Sequence, residues 1–191
     1  MEEKLQHDSR AESGIGSSTR TKGLIFGLVA SLIATIVIDL LMMGYMLLQG
    51  LPADSGFAVI GDTAAGFFSL FGIDVTGGVP LGVVLHFLVG LALGVIFGAA
   101  VTRIHALRLN SIKKGLGLGI LYTEVISLPI LVTPPLILKW TVSTAAQWFG
   151  FSFVMHAIWG IVLGLVVRYG LRSTMAARRG EPQANPGLAI K

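Results

Sequence analysis

The chain has 191 residues, 53% of them hydrophobic and 13% charged, and its mean hydropathy is +0.80. That balance excludes an ordinary soluble domain and points to a membrane protein. The absence of cysteine excludes disulfides, thiolate metal sites and cysteine nucleophiles. The formal charge of +4 arises from basic residues beside apolar runs, a topology signal and not a nucleic-acid footprint.

Residues 1–22 are polar and mixed in charge, and Glu2, Glu3, Asp8 and Glu12 spoil any likeness to a signal-peptide start. They are expected to form a disordered tail. From Gly23 to Leu48 the chain is apolar, with Asp39 as its one charge. At about 1.5 Å per residue this run exceeds the roughly 30 Å hydrocarbon core, so it reads as an uncleaved first span. Residues 52–78 carry Phe57, Phe67, Phe68 and Phe71 among glycines and aspartates, too interrupted to span and too apolar to float free. An interfacial segment, with a short re-entrant helix, is expected there. Further spans are predicted at 79–101, 115–132 and 150–167. Between the last two, residues 134–148 read as a second interfacial stretch, with Trp140 and Trp148 suited to the headgroup region. Residues 173–191 close the chain as a second polar tail.

The fold class expected is therefore all-α, a polytopic four-helix protein. Of the 14 Lys and Arg, only Lys139 falls in a loop joining the first span to the second or the third to the fourth. The positive-inside rule then places both termini in the cytoplasm and the chain in the cytoplasmic membrane. Small residues recur at every fourth position in each span. Gly23, Gly27, Ser31 and Thr35 in the first match Gly115, Gly119, Thr123 and Ser127 in the third; Gly82, His86, Gly90 and Gly94 in the second match Ser152, His156, Gly160 and Gly164 in the fourth. This pattern predicts two copies of one helical hairpin, with Gly23, Gly27, Gly90, Gly94, Gly115, Gly119, Gly160 and Gly164 as helix-packing positions. Such faces also serve association, so a homo-oligomer or a hetero-oligomeric membrane complex is expected, beside the lipid bilayer itself.

Asp39, His86, Glu124 and His156 are the ionisable residues within the spans, where such groups are costly enough to be functional candidates. Measured from the cytoplasmic ends, Asp39 and His86 both lie at roughly 24 to 26 Å, His156 at roughly 18 Å and Glu124 at roughly 14 Å. Asp39 and His86 are thus placed to meet. Glu124 lies near the midplane, where Pro129 removes the amide that would bond the Val125 carbonyl, so a kink is expected beside it. Three readings follow: structural glue in an accessory or assembly subunit, a small proton or ion transporter lined by these four groups, and a bis-His haem b held by His86 and His156. No phosphate-binding Gly-rich loop, H-E-x-x-H or G-x-S-x-G motif occurs, so no enzymatic activity and no metal site are predicted.

From Leu85 to Arg168 the chain carries Gly115 to Gly119, Ser127-Leu128-Pro129, Thr133-Pro134-Pro135, Trp140 and His156. In these features it resembles the YagU-like family of bacterial inner-membrane proteins. The resemblance implies a four-span inner-membrane protein and assigns no biochemical activity.

Overall fold

A computed structural model of the chain describes residues 2–180, with side chains for 21–173. Among these residues the regular structure is entirely helical: α1 (Glu2–Leu48), α2 (Ser55–Ser69), α3 (Val79–Arg103), α4 (Ile112–Ile137) and α5 (Val142–Gly180), with one 3-10 turn at His105–Leu107. Four apolar stretches, Thr21–Leu48, Val79–Arg103, Ile112–Ile137 and Val142–Ser173, are long enough to cross a membrane. A helix satisfies its backbone hydrogen bonds internally, which is what hydrocarbon surroundings require.

The packing order is α3, α1, α5, α4, with α2 laid on α3 and lightly touching α1 and α4. The gap between α3 and α4 is bridged where Tyr122 Oη donates to the Leu93 carbonyl at 2.6 Å and its ring lies 5.0 Å from that of Phe97. Ala30, Ala34, Ile38, Phe97, Val101, Trp159, Leu163 and Val167 fill the bundle axis, none more than 6% exposed. Trp159 Nε1 donates to Thr35 Oγ1 at 3.0 Å, tying α5 to α1. On the outside, Ile25, Leu28, Leu32, Ile36 and Leu40 form an exposed apolar row along α1, a surface suited to lipid.

The glycine positions explain how closely the helices approach. A methyl group on Gly27 would strike the Gly94 carbonyl, and one on Gly119 would strike the Gly160 carbonyl. Gly23 faces Gly98 and Thr102, Gly90 faces Thr35, and Gly115 and Gly164 face each other. All eight glycines named from the sequence thus lie against a neighbouring helix of the same chain. These faces are covered within the chain, so the expectation that they join separate chains has no free surface there to use.

Three boundaries differ from the sequence reading. The tail expected at residues 1–22 is helical from Glu2 onward: it contains no proline, and a helix already nucleated in the first span extends without repeating the nucleation step. The second tail is likewise helical to Gly180, and the rest of it lies outside the described residues. The interfacial stretch expected at 134–148 is mostly helix, since α4 continues through Pro134 and Pro135 and α5 begins at Val142. Pro135 lacks the amide that would bond the Leu131 carbonyl, and Trp148 Nε1 donates to that carbonyl instead, at 3.2 Å. The turn between them is short, with Lys139 at φ 51°.

Within residues 52–78, α2 crosses one end of the bundle. Its Gly61 sits on the Gly78 carbonyl and the Gly82 amide, and Gly66 touches Ile137 at the end of α4. The return loop is pinned by Asp62 Oδ1, which accepts from the Gly78 amide at 2.7 Å. Gly78 adopts φ 85°, a backbone conformation that glycine tolerates without strain.

Candidate functional site

Beneath α2 the helices separate around a cavity of about 590 Å³, to which all five contribute. Ile38 and Met42 of α1, Ile60, Phe67 and Phe68 of α2, Val89 of α3, Leu131 of α4 and Phe151 and Met155 of α5 make its wall predominantly apolar. The cavity lies where the glycine contacts of α3 with α1 and of α5 with α4 end. Gly90 and Gly160 are the last packing glycines before it, and beyond them α3 and α5 carry His86 and His156 at the next four-residue position.

Three of the four ionisable candidates converge on this wall: Asp39, His86 and His156. His86 Nε2 lies 2.9 Å from Asp39 Oδ1, with the two side chains 21% and 9% exposed. The contact is close but off the line of a good hydrogen bond, and neither atom has another partner. The His86 ring also meets the edge of Phe57 from α2, with centroids 5.8 Å apart. His156 is held through its backbone, whose carbonyl accepts from Thr123 Oγ1 at 3.0 Å. Its Nδ1 is buried without a partner. A carboxylate and two imidazoles on a predominantly apolar wall give a site that can match one polar group of a guest while packing the remainder against apolar side chains.

Glu124 is not part of this constellation and lines neither this cavity nor the smaller one between α3 and α4. Successive helix residues turn about 100°. Tyr122 points toward α3, Thr123 toward α5 and Glu124 therefore toward the far flank of α4. Its Oε1 is buried without a partner. The chain stays helical through Pro129.

The geometry bears on two of the sequence readings. A transport path through all four ionisable groups would have to reach the opposite end of the bundle, yet the buried Phe97, Val101, Trp159, Leu163 and Val167 occupy the axis there, and Glu124 stands aside. A bis-His haem needs each imidazole to offer a nitrogen to iron across the cavity, whereas His86 Nε2 is turned onto Asp39. Among the described residues no group of three or more His, Asp or Glu is placed to hold a metal ion.

Two features of the molecule, the cavity and a buried arginine at the other end of the bundle, were missed by sequence reasoning. The cavity was invisible because it depends on where helices diverge. Arg168, counted as a topology signal, is 7% exposed. A signal for its burial was present, since Arg168 continues the four-residue row Ser152, His156, Gly160, Gly164 that packs on α4. No family model matches this chain, and neither a curated protein nor a solved structure matches it.

Proposed function

We propose that this chain is a non-enzymatic integral membrane protein that binds a small, largely apolar molecule in the cavity beneath α2. Asp39, His86 and His156 are its polar anchors. The observation that carries this reading is the cavity itself: about 590 Å³ falls within the roughly 300–1,000 Å³ common for small-molecule sites. Its wall combines many apolar side chains with a few convergent polar groups, the composition that buries a guest and fixes its orientation. The clustering of basic residues at the opposite end supports an orientation in which the cavity lies in the outer half of the cytoplasmic membrane, with both termini cytoplasmic.

Further parts of the proposal rest on sequence pattern. The α1–α3 and α4–α5 pairs read as two copies of one hairpin, a reading supported by the like contacts of Gly94 with Gly27 and Ser31 and of Gly160 with Gly119 and Thr123, which set the second helix of each pair four residues away from the register that aligns His86 with His156. The motifs Ser127-Leu128-Pro129 and Thr133-Pro134-Pro135 support membership of the YagU-like family. In an accessory or homo-oligomeric role, the chain would meet its partners through lipid-facing rows such as Ile25, Leu32 and Ile36, because its glycine faces are covered.

The test is extraction of the protein from native membranes in mild detergent, followed by mass spectrometry of what the organic phase releases. A guest that co-purifies with the wild type should be lost when Thr63→Trp fills the cavity from α2, with the helical content unchanged. Recovery of the same molecules, in the same amounts, from both proteins would defeat the cavity as a binding site.

A further inference from the structure

At the end of the bundle remote from the cavity, Arg168 is buried with no counter-charge in contact among the described residues. It is 7% exposed, and its Nε and Nη1 are enclosed without a hydrogen-bond partner. Its guanidinium carbon lies 5.4 Å from the centroid of the Tyr169 ring, a contact that offsets little of a buried charge. A guanidinium does not escape this cost by losing its proton. Removing a cation from water is expensive unless an anion and hydrogen-bond acceptors meet it.

The surroundings specify which anion fits. The arm of Arg168 crosses the first turn of α4, its Cδ 3.4 Å from where a Cβ on Gly115 would sit. That helix begins at Ile112, after Ser111, whose hydroxyl accepts from the Lys114 amide. The positive end of the α4 dipole thus points at the same place. Lys113 and Lys114 follow the cap, and Arg172 lies one turn further along α5. Gly115 is the fourth residue of its span, so the site sits within about 5 Å of the helix end, at the depth of lipid headgroups. Tyr169, whose ring the guanidinium overlies, is 51% exposed.

From these contacts we infer that Arg168 and the first turn of α4 form a phosphate-binding site. The planar fork of an arginine matches two phosphate oxygens at once, and a helix N-terminus adds backbone donors to the remainder. Gly115 lets the Arg168 arm lie close against α4, since a side chain there would press on both the Gly164 carbonyl and that arm. Two sources carry this chemistry: the headgroup of an anionic phospholipid and a free phosphate or phosphate ester in solution.

The experiment uses the full chain, purified in a phosphate-free maltoside detergent, and reads thermal unfolding and native mass spectra. Phosphatidylglycerol should raise the unfolding temperature and leave a retained lipid adduct. Diacylglycerol of the same chain length, which lacks the phosphate, should do neither. Arg168→Gln should weaken phosphatidylglycerol retention about tenfold, as expected for loss of a bidentate charged contact, whereas Lys113→Gln should weaken it much less. Stabilisation by millimolar inorganic phosphate, with displacement of the lipid adduct, assigns the site to a soluble ester instead. Equal responses of the wild type to phosphatidylglycerol and diacylglycerol, with none to inorganic phosphate, overturn the inference. That comparison needs no variant to fold.

Discussion

Removing His86 would leave Asp39 as a lone carboxylate in a setting that gives it no other partner. The reverse change is milder, because an imidazole can remain neutral. His86→Leu should therefore lower the unfolding temperature in detergent more than Asp39→Asn. The double variant should recover part of the loss, since it leaves no charge behind, and a coupling of about 1–3 kcal/mol is expected from a thermal double-mutant cycle. Additive effects would mean that the 2.9 Å approach carries no energy. At this scale the sequence was informative along the helix axis and silent around it. Counting residues placed Asp39 and His86 at one depth. It could not show that His156 would share their cavity while Glu124 turned away, because that depends on which neighbour each helix face meets.

Among the elements, the glycines divide into two kinds that composition does not distinguish. Gly27 and Gly119 lie against backbone atoms of the facing helix, whereas Gly44 and Gly117 have nothing within 4 Å. Gly27→Leu and Gly119→Leu should each prevent the two helices of a hairpin from closing, seen as loss of a monodisperse peak in detergent chromatography. Gly44→Leu and Gly117→Leu should elute as the wild type does, aided by the better helix propensity of leucine over glycine. Similar profiles for all four would remove close backbone contact as the cause of the spacing. The recurrence at every fourth position made most of these contacts legible, since residues so spaced share a helix face. The ends of α4 and α5 were not legible. Proline ordinarily signals a break, and continuity through Pro135 relies on a donor from Trp148, thirteen positions later in the sequence.

For the whole molecule, the helix order places Lys22, Arg103, Arg108, Lys113, Lys114 and Arg172 at one end and Asp54, Asp62 and Asp74 at the other. The chain contains no cysteine, so one introduced thiol reports on a single site. Ala53→Cys should react with a membrane-impermeant maleimide on intact cells, and Ala106→Cys should react only after permeabilisation. The opposite pattern would invert the molecule and move the cavity to the inner leaflet.

By itself the sequence determined the membrane class, the number of spanning helices and the spacing of small residues along them. Each of these follows from local composition and from the fixed rise and turn of a helix. Only the tertiary structure decided that the glycine faces close on one another inside one chain, that α2 roofs a cavity, and that Arg168 is buried. Those facts concern the direction in which a side chain points relative to other helices, set by packing between segments far apart in sequence. A charge at the end of a span reads the same in sequence whether it faces water or another helix. Arg168 faces α4, and the anion it requires is the part of this protein that the sequence left unspecified.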